Sequence, residues 1–447
     1  MNADQRAWHD DRAFFWTLTI LLAAGVCWTV FPPGFNWPAE DADAVVVEGE
    51  VGEGSLARKL QWLPLFAMAG IVILYRAKIA TMVALRSNPF LWAFAFWCAA
   101  TVLWSVHPPS TLKKVIQFFG VLAMALAFQC ASWTPMRFET VVRNTIGWVV
   151  LLSVPFALVL PDIGIHQTGD TAGKWKGLTT NKNSLGLIAS FGFIFYLHDY
   201  LRGDSRLARA AAWMALCLFV MIMAQSGTAF GVAAVCCVFV LFVMRPPIDL
   251  RGRLLAWSLG LISFVLTVYL IWTLVDGPPG LEDILGPIAG LFGKDITLTG
   301  RSNIWALVLE EAARHPIQGI GFGAFWLGPN SASDWIIEIL YWVPWQGHNS
   351  YVDIYNETGL VGLMLVIGFL VIHCVQLQRV ARLDRSIFAL HATLFLYLIL
   401  SNIVETKMFR PITVHLLMLT MSSLSLTRML LDHELRAATR SPAPRGS

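Results

Sequence analysis

Two short stretches carry side chains able to handle charge and protons. In "TLTGRSNIWALVLEEAARHP" (297–316), apolar Ile304, Trp305, Val308, Leu309 and Ala312 recur every three to four residues and Pro316 blocks continuation, so the stretch reads as a helix with Arg301 in its first turn. A cation there faces the positive end of the helix dipole, at a cost of about 0.3–1 kcal/mol. Either it is a tolerated charge, or an anion is held between Arg301 and the free N–H groups of that helix end. In "QGHNSYVDIYNETGLVG" (346–362), Ser350 followed three residues later by Asp353 reads as a capping box, which starts a helix near Asn349 or Ser350. His348 then stands just outside a helix N-terminus, where the dipole favours the neutral imidazole that a general base needs. The plainer reading is a surface or capping histidine. Asn349, Tyr351 and Trp345 flank it as candidates for acceptor or sugar contacts. Trp345 belongs with Trp335, Tyr341 and Trp342 to "DWIIEILYWVPWQ", which fits an interfacial aromatic belt or, less commonly, a surface on which sugars stack.

Further cations stand at other helix ends. In "GKWKGLTTNKNSLG" (173–186), Lys182 and Asn183 precede an apolar helix capped by Asn181 or Asn183, with Lys174 and Lys176 just before them. Lysines beside free N–H groups make an anion site, or else they snorkel to anionic lipid. Lys113 and Lys114 in "HPPSTLKKVIQ" and Arg410 in "NIVETKMFRP" are placed in the same way. The glycines of "GIGFGAFWLG" lack the strand that a nucleotide-binding loop needs, so they read as a turn.

The elements that must position these residues are membrane helices. The chain is 56% hydrophobic and 14% charged, against about 25% charged in soluble domains. Apolar runs near 13–33, 60–75, 89–106, 115–131, 144–161, 184–200, 210–225, 227–244, 254–275, 358–376, 387–403 and 411–428 predict about twelve spanning helices in one all-α polytopic domain over 1–447. The first run has no small-residue cleavage site and is expected to remain as a helix. With the N-terminus inside, the short inner connections collect Arg76, Lys78, Arg86, Arg137, Arg143, Arg202, Arg206, Arg209, Arg245, Arg251, Arg253, Arg379, Arg382 and Arg385. This positive-inside pattern puts both termini in the cytoplasm and the stretches 162–183 and 276–357 outside. A connection as long as 276–357 is expected to be functional and to contain helices. The outer cations lie where orientation does not call for them, and a lipid diphosphate would account for them together. The seven cysteines lie in or beside apolar runs without metal-ligand spacing, so neither disulfide nor metal is expected. No basic, aromatic-interleaved stripe suggests nucleic acid.

Three motifs, "GLTTNKNSLG", "TGRSNIW" with "HPIQGIGFGAF", and "GHNSYVDIYNETGLVGL", resemble in this order the O-antigen ligase superfamily, which contains O-antigen ligases and Wzy-type polysaccharide polymerases. The resemblance runs from about the third helix to the end, is absent from the first 60 residues and is most specific in the last third; its motifs fall over about 180–375, and "QSGTAFG" (225–231) is similar to the family's polar break between helices. It implies a GT-C-like glycosyltransferase of the bacterial inner membrane with a periplasmic site and no cofactor or metal. The enzyme would move a glycan from undecaprenyl diphosphate to an acceptor, with inversion from an α-linked donor. It also implies Arg301 on the diphosphate, His348 at the acceptor hydroxyl, and Lys182 and Asn183 as further donor-site residues; Lys114 and Arg410, read above as outer cations, are expected at the same donor site. The Lys-Asn pair looks more like the polymerases, whose acceptor is a lipid-linked repeat, than like the ligases, whose acceptor is lipid A core. Two rivals stand beside this reading. One is a GT-C enzyme using Glu40, Asp41 or Asp43 of "EDAD" as base; the other is a transporter or flippase of lipid-linked glycan, which would place its charges at mid-membrane.

Overall fold

The computed structural model describes residues 12–37, 56–130, 137–244 and 301–440. The expected run at 254–275, the "EDAD" stretch and residues 276–300 lie outside the described residues. The other eleven apolar runs are helices. They are α1 (Arg12–Trp28), α2 (Leu56–Tyr75), α3 (Ala77–Arg86) joined to α4 (Pro89–Ala100), α5 (Pro108–Gln129), α6 (Arg137–Val159), α7 (Lys182–Arg202), α8 (Leu207–Ala224) and α9 (Gly227–Met244). After the segment expected on the outside, with its α10 (Arg301–Ala312) and α11 (Asp334–Leu340), come α12 (Ser350–Ala381), α13 (Arg385–Val404) and α14 (Val414–Arg440).

Among the described residues, nine of these helices are long and apolar enough to cross a membrane, or ten if α3 and α4 are one broken span. Those two meet at 98°. The cause is local: Asn88 caps α4 by accepting a hydrogen bond from Phe90 N at 3.1 Å, and Pro89 cannot continue α3.

The bundle is built around α14, 89% of whose apolar stretch is buried. It packs on α5, α12 and α13. Its Ser/Thr row meets amides and imidazole from each of them: Gln129 Nε2 donates to Ser425 Oγ at 3.1 Å, Gln376 Nε2 to Thr427 Oγ1 at 3.0 Å, and His391 Nδ1 lies 2.8 Å from Ser422 Oγ. Such bonds contribute about 0.6 kcal/mol each on average inside a membrane, and they fix which helix faces which. The α2, α8 and α9 helices lie at the periphery, with 28% of their apolar stretches buried. They leave Leu74, Ile222 and Val238 exposed, as a lipid-facing surface requires.

Arginines assigned to inner connections also tie helices to one another. Arg143 pairs with Asp199, Glu139 receives His198 Nδ1 at 2.7 Å and Arg202 at 3.3 Å, and Glu434 receives Arg379 at 2.9 Å and Arg86 at 3.3 Å. The segments assigned to the outside come together separately, around one cavity. Cysteine placed at Lys182, Arg301 or His348 is therefore expected to react with an impermeant maleimide in intact spheroplasts, and cysteine at Arg206 is not. Reaction at 206 with silence at the other three would overturn this orientation.

Candidate functional site

The site begins at the kink of α12. Gly359 has φ 68° and ψ −172°, a region open in practice only to glycine, and a Cβ there would fall 2.1 Å from Ile317 O. The kink opens the helix ladder, and the loop 316–323 closes it: Leu360 N donates to Pro316 O at 2.8 Å, Val361 N to Ile317 O at 3.3 Å, Ile320 N to Asn356 O at 3.2 Å, and Gly321 N to Glu357 O at 2.9 Å. The glycine run is the expected turn, but a turn wedged into the site. Gly321 sits at φ 120° with Ser105 against it, and Gly323 packs on the Lys114 stem. Gly323 N donates to Glu357 Oε2 at 2.8 Å.

The other end of this helix differs from the capping box expected of Ser350 and Asp353. The cap is Asn349, whose Oδ1 accepts from Tyr351 N at 3.0 Å and Val352 N at 3.2 Å. Ser350 and Asp353 have other tasks, because tertiary partners reach them first. Ser350 Oγ donates to Asn402 Oδ1 at 2.6 Å and accepts from Lys407 N at 2.9 Å, which stitches the α13–α14 connection onto α12. Asp353 accepts from Trp326 Nε1 and from Gly347 N, both at 2.9 Å. Between Gly347 and the cap stands His348, half-buried and left-handed at φ 54°, with Gln346 Nε2 3.3 Å from its Nδ1. Left-handed histidine is uncommon, and here it is imposed by contacts on both sides.

Arg301 is the first residue of α10; its side chain lies outside the described part. One turn on, Trp305 Nε1 donates to Gly347 O at 2.7 Å, so α10 rests against the residue before His348. Ile304, Trp305, Val308 and Ala312 of the expected apolar face are all buried. Ile304 and Val308 share a small core with Ile320, Phe325, Trp326, Ile336 and Val352.

These contacts surround a cavity of about 290 Å³. Lys114 and Arg410 line it, as do Asn183 and Trp345; Lys113, Arg58 and Lys407 join them. Arg410 Nη1 donates to Trp345 O at 3.2 Å. The α7 cap that faces the cavity is Asn181, which accepts from Ser184 N at 2.9 Å. Lys182, Asn349, Tyr351 and His348 stand behind or beside its lining residues rather than among them. The Lys182 backbone N–H donates to His166 Nε2 at 3.2 Å. The polar break 225–231 borders the same region, with Ser226 Oγ 3.4 Å from Asn183 Oδ1.

The sequence reading did not single out Arg58, Lys407, Glu357 or Glu405, and it gave Asp353 only a capping role. The available signal was the spacing of Asp353 and Glu357, four apart and so on one face at the mouth of an apolar helix. Five cations in one pocket of this size set up a site for an anion with several oxygens. The aromatic walls Trp28, Phe322, Trp326, Trp345 and Phe409 add apolar and stacking surface.

Residues 210–367, which include α10, the His348 turn and the first half of α12, match the family model described as O-Antigen ligase. The chain is also similar to the "Exopolysaccharide production protein ExoQ" of Rhizobium meliloti (strain 1021), at 28% identity over 352 residues that cover 75% of each chain. These matches agree with the resemblance of the three motifs, in their order, to the O-antigen ligase superfamily.

Proposed function

We propose that the protein is a polysaccharide polymerase of the bacterial inner membrane. It transfers a glycan from undecaprenyl diphosphate to a second lipid-linked repeat at the periplasmic face. The observation that carries this reading is the cavity in which Arg58, Lys113, Lys114, Lys407 and Arg410 converge from three separate outer segments beside the His348 turn. A sugar diphosphate already has a good leaving group, so the protein has to neutralise departing charge, hold the acceptor and take one proton. The acceptor oxygen attacks the anomeric carbon, the bond to the diphosphate breaks with its electron pair on the diphosphate, and His348 receives the acceptor's proton. Arg301, Lys114 and Arg410, with Lys182 and Asn183 at the α7 end, are assigned to the donor; Asn349, Tyr351 and Trp345 are assigned to the acceptor side. Attack from the face opposite an α-linked diphosphate gives a β bond. The relative's name, an exopolysaccharide production protein, favours polymerisation over joining to lipid A core.

The test uses the protein in nanodiscs with the lipid-linked repeat that accumulates in membranes of a strain deleted for this gene. In excess chelator, a ladder of longer lipid-linked chains is expected. Transfer that appears only when lipid A core is added would make it a ligase. Passage of the repeat across a proteoliposome bilayer without transfer would make it a transporter, and activity that needs a divalent ion would favour the "EDAD" base.

A further inference from the structure

The cavity holds carboxylates among its cations, and a carboxylate repels the diphosphate those cations suit. Three acidic residues line it: Asp353, Glu357 and Glu405. Asp353 is almost fully buried and both of its oxygens accept from protein N–H groups, so it holds Trp326 and the Gly347 turn in place. Glu405 faces Lys407 at 3.8 Å. Glu357 is held differently. One oxygen accepts from Gly323 N at 2.8 Å, and the residue's own carbonyl accepts from Gly321 N at 2.9 Å. Backbone and side chain are therefore anchored to the same loop, while the carboxylate still borders the cavity. On the same helix the preceding turn presents Asp353 with Trp326, and Trp345 lines the wall toward Arg410.

We propose that Glu357 binds the acceptor: it takes a hydrogen bond from a hydroxyl of the acceptor sugar, whose ring lies against Trp326 and Trp345. A rigid carboxylate in the same cavity wall as two indoles suits a group that offers O–H donors and an apolar ring face, which is the chemistry of a neutral sugar and not of a diphosphate. The anchoring by the glycine loop means that little ordering is needed when the hydroxyl arrives. This inference rests on the transfer reaction proposed above and assigns Glu357 to its acceptor half.

Glu357→Gln tests it. The amide oxygen can still accept from Gly323 N, and side-chain volume is preserved, so the loop anchor survives while the charge on the acceptor bond is removed. The acceptor is the same repeat on a short isoprenyl diphosphate, titrated against a fixed amount of long-chain donor; donor-site binding is read separately from retention of radiolabelled undecaprenyl diphosphate. The expected result is a rise of about tenfold in acceptor KM, the scale of one hydrogen bond to a charged group, with kcat and diphosphate retention within about threefold of the parent. Glu357→Asp, which keeps the charge one methylene short, is expected to lie between the two and serves if the Gln variant does not reach the membrane. An unmoved acceptor KM overturns the assignment. So does a fall in diphosphate retention that matches the loss of transfer, since Glu357 would then act through the cations, and so does a fall in kcat of about 100-fold or more at saturating acceptor, the mark of a general base. If the parent protein makes no glycan bond, it is the transfer reading that fails.

Discussion

Replacing His348 with Ala is expected to slow single-turnover glycan transfer by about 100-fold to 10,000-fold, the usual range for a lost general base, while leaving the lipid-linked donor bound. The expectation comes from the way the residue is held. Asn349 caps α12 immediately after it, Asp353 grips Gly347 immediately before it, and between them the backbone takes φ 54°. A left-handed histidine fixed from both sides keeps its ring in one place, which suits a residue with a positional task. The cost of losing the proton acceptor falls on the chemical step, because donor binding depends on the cations. His348→Gln keeps a hydrogen-bonding group of similar reach but accepts no proton, and should stay close to the Ala variant. A parent-like rate for His348→Ala from about pH 6 to 8, the span over which an imidazole changes charge, would reduce the residue to a neighbour of a helix cap.

The second large effect is expected for Arg301→Ala, with a loss of about 100-fold or more in turnover. On the proposed reaction, negative charge on the diphosphate grows as the glycosidic bond breaks, so a guanidinium that pairs with it would contribute more to the transition state than to the bound donor. Arg301→Lys should recover only part of the rate, since a point charge does not reproduce the planar fork on two phosphate oxygens. The position supports the assignment through α10, which opens at Arg301 and rests through Trp305 on Gly347. A variant whose KM for the donor rises while kcat stays at the parent value would show uniform binding instead.

The membrane helices were legible because apolar runs of sufficient length have few alternatives to spanning a bilayer, and eleven of the expected runs are helices here. The α10 face was equally legible from its period. The site was legible only where local chemistry settled it. Asn181 and Asn349 cap their helices, as short polar residues before apolar runs do. Ser350 and Asp353 have the same local pattern as a capping box, yet Asn402, Lys407 and Trp326 engage them from far along the chain, and Gly347 from the turn before the helix. Glu357 gave no signal by itself, because a glutamate at the start of a helix is ordinary. Its partner Gly323 is set by a loop that returns to the kink at Gly359. Convergence of Arg58, Lys114 and Arg410 into one cavity is likewise a property of how the helices pack, not of any one segment.

The most enclosed helix, α14, is also the last of the described helices to leave the ribosome. Every earlier span therefore enters the bilayer before the element it packs around exists, and Gln129, Gln376 and His391 wait without their serine and threonine partners. Lys407 and Arg410 emerge only just ahead of it. A nascent chain thus has neither a filled bundle axis nor a complete set of cavity cations until α14 and the connection before it have emerged, so the bundle and the cavity are completed in the same step. A chain that stops at the end of α13 lacks both the axis of its bundle and two of its five cavity cations.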